Sequence, residues 1–368
     1  MDEMSKIHTM RWLLWILFIE IKNSNGQNLV VGQAQLVIPA TNHSIKTEVS
    51  KSIVTEHNNG TFNFVVMGDI GGIPKYPYTS SIGRHVAKEL KQWSNLNSPR
   101  FVSLLGDNFY MHGVRNVADN RFKTSFEQLY NHSSLNSIPW YVLAGNHDHY
   151  GNVTAQMMYQ YHSQKWVFPQ LFYTKIYRIS PGVTNKHLRN ITLQLVIIDT
   201  VVMCYPSPPK ISGEGRKYIN DYTRSLQNLW LDTVLSNSKA DILLVNGHHP
   251  VYSTGSHGPT KCLLKSLRPK LLKYNVSAYI SGHDHSFQHL AEPSQNLNYF
   301  IIGSGSKLSR SAKNMKSNPK GCFKFRFDHK GGFGIFSINH GTRPTMKVSF
   351  RDSSGNIKYS VVITSREY

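Results

Sequence analysis

GDNFYMHG, residues 106–113, closes the apolar run 101–105 with a glycine and an aspartate. One β-type run stopped in this way is an ordinary turn, but here the pattern recurs. The run 62–67 leads into Gly68-Asp69, and 140–144 leads into Gly145-Asn146-His147. Residues 241–245 pass through Asn246 to Gly247-His248, and 277–281 reach Gly282-His283. Each run ends in a glycine and then a side chain able to bind a metal. The glycine permits a sharp turn and keeps a Cβ away from a bound ion.

Helical patterns separate these runs. Ile82, Val86, Leu90 and Trp93 share one face, as Leu226, Leu229, Leu231 and Leu235 approximately do. Alternating strands and helices predict an α/β layered fold. In such folds ligands collect at the carboxyl ends of strands. Five strand ends carrying Asp69, Asp107, Asn146, His248 and His283, with His285 two residues on, therefore point to one site. Carboxylate, amide oxygen and imidazole suit hard and borderline ions rather than thiolate-seeking ones. The set is too large for one tetrahedral ion and fits a two-metal centre that clamps an in-line displacement at phosphorus.

The 368 residues, 40% of them hydrophobic, can bury a substantial core in one large domain or two ordinary ones. Lys and Arg outnumber Asp and Glu by 41 to 21, a net charge of +20. This excess favours acidic partners such as phosphoproteins or sulfated glycans, or is simply a cationic surface. No helix-turn-helix, RRM or zinc-finger spacing is present, which argues against nucleic acid as a specific ligand. The basic residues are spread out, with a modest concentration from Lys307 to Lys320.

Lys6 and Arg11 precede an apolar run from Trp12 to Ile19, too short to span a membrane. This predicts a signal peptide over 1–26, cleaved near Gln27, with a retained anchor as the alternative. Residues 27–60 read as an extension and 61–368 as the catalytic domain. No later stretch is long and apolar enough to serve as an anchor. Sequons at Asn42, Asn59, Asn131, Asn152, Asn190 and Asn275 agree with a secretory route, and three cysteines allow at most one internal bridge.

The series GDIGG, GDNFY, GNHDHYGN, GHHPVYS and GHDH resembles the metallophosphoesterases. More closely, with PWYVLAGNHDHYGNV and GGFGIF, it is similar to the animal-type purple (tartrate-resistant) acid phosphatases from Phe62 to the end. The resemblance implies a four-layer αββα sandwich, two mixed sheets flanked by helices. It gives Tyr110 a role: in that family the tyrosine three after the second aspartate ligates a ferric ion and produces the purple colour. Fe(III) would be held by Asp69, Asp107, Tyr110 and His285. A second ion, Fe(II) in the animal enzymes and Zn or Mn in some relatives, would be held by Asp107, Asn146, His248 and His283, with Asp107 bridging.

The activity implied is hydrolysis of phosphate monoesters, phosphoproteins and nucleotides among them, by in-line attack of metal-bound hydroxide. His147 and His257 would bind phosphate and protonate the leaving group, in an order left open, or else orient a ligand. Asp148, His149, His249 and Asp284 adjoin ligands and are expected to be structural, with Asp284 pointing away from the metals. The resemblance also implies a Cys204–Cys262 disulfide, glycans at sites such as Asn152 and Asn190, a monomer, and a secreted or lysosomal location. Residues 205–222 read as an exposed, protease-sensitive loop. In mammalian relatives the matching loop represses activity until cut, but this one differs in sequence and is more basic. The rival readings are a non-catalytic scaffold on the same fold, a protein whose task is binding acidic ligands, and a phosphodiesterase.

Overall fold

The computed structural model describes residues 20–22, 28–30, 53–57, 61–181, 188–204, 218–293 and 295–367. Most of the expected leader and extension, the sequons at Asn42 and Asn59, and residues 205–217 of the basic loop lie outside them. Two units are distinguished, Met1–Ser52 and Ile53–Tyr368. In the first, β1 (Glu20–Lys22) pairs antiparallel with β2 (Asn28–Val30).

In the second unit, the apolar runs form the strands at the centre of two sheets. β4 (Phe62–Met67) lies between β5 (Val102–Leu104) and β15 (Gly332–Asn339) in a seven-stranded sheet. That sheet continues through β6 (Trp140–Tyr141) and β7 (Trp166–Val167) on one side, and through β16 (Thr345–Asp352) and β17 (Ile357–Thr364) on the other. The second sheet has eight strands, in the order β14 (Phe323–Phe327), β12 (Phe287–Ala291), β13 (Asn298–Ile302), β11 (Ala278–Ser281), β10 (Ile242–Asn246), β9 (Ile191–Ile197), β8 (Tyr173–Ser180), β3 (Ile53–His57). Both sheets mix parallel and antiparallel pairs. β10 is buried at every position, as a continuous apolar run in the middle of a covered parallel set should be.

The sheets meet face to face through aromatic rings. Phe64 of one sheet stacks on Phe101 at 4.5 Å and on Phe336 at 5.0 Å. Tyr177 of the other lies 5.0 Å from Phe101, and Phe287 lies 5.0 Å from Phe350. Outside the seven-stranded sheet, the helix Ser81–Asn97 buries Val86, Leu90 and Trp93, as its spacing predicts, and Trp93 meets Phe333 at 6.1 Å. Ser80 caps it by accepting from Gly83 N. The architecture is an αββα sandwich of two mixed sheets.

Two sequence expectations need correction. β3 runs parallel to β8, so the larger sheet begins before residue 61. The helix Asp221–Ser236 buries Gln227, Leu231, Val234 and Leu235, while Leu229 is exposed. The reading by leucines alone missed this face because Gln227 belongs to it. Its amide donates to Asp199 O and accepts from Asp199 N, so a polar side chain fills an inward position without an unmet hydrogen bond.

Candidate metal centre and active site

The five predicted strand ends meet at one edge of the sandwich. β4 is followed by Asp69, β5 by Asp107 and Tyr110, β6 by Asn146, β10 by His248, and β11 by His283 and His285. Asp69 and His248 are fully buried and Asp107 nearly so. Three of these residues hold left-handed backbone without being glycine: Asp69 at φ 60°, Asp107 at 51° and His283 at 67°. That conformation is costly for a side chain with a Cβ and is concentrated here at the strand ends. The glycines give the clearance. A Cβ on Gly145 would collide with the Asp107 carboxylate, and one on Gly282 with that of Asp69.

The donor atoms form two connected groups. In one, Tyr110 Oη lies 2.8 Å from Asp69 Oδ1 and 3.0 Å from His285 Nε2, with 3.3 Å between the last two atoms. In the other, His248 Nδ1 donates to Leu105 O at 2.8 Å, which turns Nε2 towards the site. That Nε2 is 3.1 Å from Asn146 Oδ1, 3.1 Å from His283 Nδ1 and 3.4 Å from Asp107 Oδ1. Asp107 links the groups: Asp69, Asp107 and His248 offer atoms within 4.8 Å of one another. All seven sequence-predicted ligands are thus brought together.

The electrostatics call for cations. Among the described residues, neither Asp69 nor Asp107 has a Lys or Arg within 4.0 Å. Buried carboxylates without such partners are costly unless an ion is shared between them. Burial, then the Asp69 and Asp107 charges, hold the Tyr110 phenol far above its ordinary pKa. Burial raises the Asp107 carboxyl, but His248 and then His147 outweigh it and leave it well below the usual range. Burial likewise opposes the charged form of His248, yet Asp107 lifts it to about 9. His283 is driven the other way, by burial first and then by the neighbouring imidazoles. Two carboxylates, a phenol, an amide and three imidazoles together fit a dinuclear centre of hard or borderline ions.

The two histidines expected to act on phosphate border this cluster. His147 donates from its backbone N to Asp107 Oδ1 at 2.9 Å, and its Nδ1 lies 2.6 Å from Met111 O. The remaining nitrogen is 3.9 Å from Asp107 Oδ2. His257 is exposed and packs its ring 4.1 Å from that of His283. Asp284 turns away and accepts from Ser253 Oγ, Ser256 Oγ and His257 N. Asp148 accepts from the backbone of Gly145, Asn108 and Phe109 and from Gln156, tying two ligand loops together. Burial and then Asp107 raise its pKa to about 6. His149 pairs with Asp199 at 2.6 Å. His249 joins His248 and His283 in a second close group, its Nδ1 2.8 Å from Thr200 Oγ1.

One neighbour escaped the sequence reading as a site residue. Lys307, noted only as the start of a basic stretch, stands over the Tyr110 ring with Nζ 3.4 Å from the centroid. Elsewhere, Cys204 and Cys262 form a disulfide and Cys322 is free and buried. Asn152 is half-buried and caps the helix Val153–Met158, whereas Asn190 is exposed.

Comparison with known proteins agrees with this geometry. The calcineurin-like phosphoesterase family model matches residues 62–287. Tartrate-resistant acid phosphatase type 5 of Oryctolagus cuniculus is 36% identical over 306 residues, covering 83% of this chain and 92% of that protein. Purple acid phosphatase 3 of Arabidopsis thaliana is 29% identical over 350 residues, covering 92% and 88%. Among solved structures, GAP50, described as the anchor in the inner membrane complex of Plasmodium, superposes with a TM-score of 0.69 at 23% identity, covering 83% of this chain and 90% of that one. A family match across most of the chain, joined to a phenol, two carboxylates, an amide and three imidazoles at the strand ends, leads to one conclusion: the chain belongs to the purple acid phosphatases of the calcineurin-like phosphoesterase superfamily, and is an acid phosphatase acting on phosphate monoesters.

Proposed function

We propose that hydrolysis runs at a mixed-valence centre, Fe(III) held by Asp69, Asp107, Tyr110 and His285 beside a divalent ion held by Asp107, Asn146, His248 and His283. The observation that carries this reading is the position of Tyr110 Oη, between Asp69 Oδ1 and His285 Nε2 and sealed from solvent. A buried phenol flanked by carboxylates keeps its proton unless a strongly charged ion takes its place. The two ions, when bound, supply electrophilic activation of the phosphoryl group and of water for in-line displacement. The second ion is Fe(II), with Zn or Mn as the alternatives.

The chain's own contribution is orientation and proton delivery. His147 is held by its backbone bond to Asp107 and its Nδ1 bond to Met111 O, which leaves Nε2 facing the cluster. His257 stands at the exposed edge beside His283. One binds the phosphate and the other gives a proton to the departing alkoxide. The leaving group is the open part of the substrate, and phosphoproteins and nucleotides both suit a site with cationic surroundings. Sulfated or otherwise acidic glycans are a further class of partner consistent with the net charge of +20.

A secreted or lysosomal monomer is the setting we infer, supported by the leader-like start, the Cys204–Cys262 bridge and the exposed sequon at Asn190. No helix among the described residues is long and apolar enough to cross a membrane. The scaffold reading, which the name of the Plasmodium relative brings up, is disfavoured because a scaffold has no use for all seven metal donors.

The test is the visible spectrum of the purified protein with metal analysis on the same sample. A broad charge-transfer band that Tyr110→Phe removes while iron stays bound is expected, together with release of phosphate from p-nitrophenyl phosphate that Asp107→Ala abolishes. An iron-loaded protein without the band would return Tyr110 to a packing role and put a two-divalent-metal enzyme in the lead.

A further inference from the structure

Lys307 sits on a short strap fixed at both ends to the iron-side ligands. Ser306, just before it, donates from Oγ to Asp69 O at 2.6 Å and accepts from Gly72 N at 3.0 Å, while its carbonyl accepts from Ser80 Oγ at 2.6 Å. Two residues further on, Ser309 N donates to His285 O at 2.9 Å. The backbone beneath Lys307 is therefore set by Asp69 and His285, the two residues that also touch Tyr110 Oη.

The side chain uses that position to cover an aromatic face. Nζ is 3.4 Å from the Tyr110 ring centroid and 3.5 Å from Met111 Sδ, and the residue is half-buried. Among the described residues no carboxylate lies within 4.0 Å of this ammonium, so its nearest electron-rich partner is the ring. Desolvated cations over aromatic faces interact more strongly than exposed ones, and the attraction grows when the ring carries negative charge.

We propose that Lys307 is a positioning residue for the metal centre, its ammonium held against the face of the Tyr110 ring so that it sets the energy of the bond between that tyrosine and the ferric ion. This rests on the ferric reading given above. A cation on the ring face lowers the phenolate donor electrons more than the iron acceptor orbitals on the far side of the oxygen. The charge-transfer band of the native protein is therefore at shorter wavelength than it would be without the lysine.

The experiment compares the spectra and iron content of the whole protein with those of Lys307→Met and Lys307→Arg. Methionine keeps the unbranched stem, one atom shorter, and removes the charge; arginine keeps the charge. The expected result is a band displaced to longer wavelength in Lys307→Met, by on the order of ten nanometres for loss of a desolvated cation–π contact. Lys307→Arg should return most of the shift. Lys307→Gln is the second neutral variant, for use if methionine reduces iron binding. A band at the native position in any neutral variant that retains its iron overturns the proposal and leaves the ferric tyrosine intact. No band in the iron-loaded native protein overturns both.

Discussion

Gly145→Ala isolates the geometric demand of the centre from its chemistry. The backbone at this position has φ −98° and ψ −177°, extended values that alanine adopts freely, so the substitution brings no conformational strain of its own. What it brings is a methyl group against the Asp107 carboxylate and backbone nitrogen, about 1 Å inside van der Waals contact. Asp107 cannot yield easily, because it is held at φ 51° and accepts from His147 N at 2.9 Å. Relief must come from displacing either that carboxylate, which both ions would share, or the turn that carries Asn146. A misplacement of about 1 Å at a reacting centre costs roughly 100-fold in rate. That factor corresponds to about 2.7 kcal/mol at the barrier. The overpacking itself should lower stability by only about 1–3 kcal/mol, which leaves the variant folded. The assay is kcat/KM on p-nitrophenyl phosphate with metal content and thermal melting on the same preparation. Gly341→Ala, whose new Cβ would meet only Arg343 O at 3.3 Å, is the control and should be close to native. Native activity in Gly145→Ala with a full metal complement would refute the claim that this glycine exists to clear Asp107.

Two further predictions concern stability. Replacing Cys204 and Cys262 by serine opens a closure between residues 58 apart, worth up to about 4 kcal/mol in loop entropy. The melting temperature should fall by roughly 5–10 °C for a chain of this size, and an unchanged melt would show the bridge to be dispensable. His289 is buried with Nε2 3.0 Å from Asn298 Oδ1 and Nδ1 2.8 Å from Tyr359 Oη, a fit for the neutral ring. Burial, opposed by the Asn298 hydrogen bond and aided by Lys324, lowers its pKa to about 4. The unfolded chain therefore binds a proton that the folded one refuses between pH 6.5 and 4, so stability is full above that window and falls by about 3 kcal/mol across it. Urea titrations of His289→Gln at pH 7 and 4.5 should show a smaller acid loss than the native protein, and equal losses would assign the acid sensitivity elsewhere.

The sequence disclosed the convergence of these strand ends well because each candidate ligand follows its own strand and its own glycine, a local signal that survives without any knowledge of packing. What it hid were relations between segments. Lys307 reaches Tyr110 only because Ser306 is bonded to Asp69 and Ser309 to His285, contacts between residues more than 20 and more than 200 positions apart. Left-handed backbone at Asp69, Asp107 and His283 leaves no trace in composition, since Asp and His adopt it more readily than most non-glycine residues yet far more often do not. Gln227 gives no apolar signal of its inward position, which depends on Asp199 supplying both of its partners. β3 was assigned to an extension because five residues with two adjacent aliphatics give too little alternation to register against β8.

The same burial that makes the centre demanding also decides how acid acts upon it. His249 and His283 lie well below the ordinary imidazole range, through burial first and then the charges of nearby imidazoles, so they stay neutral donors where exposed histidines are charged. His248, lifted to about 9 by Asp107 against its burial, and Tyr110, raised by burial and the two carboxylates, instead carry protons that an arriving cation must displace. On the ligand set proposed above, loading would release protons from these two positions, and acid would weaken metal affinity through them. A trivalent ion competes for the phenolate far better than a divalent one. On the proposed assignment a tyrosine that holds the ion would also select it, and a cation over its ring would work in the same direction.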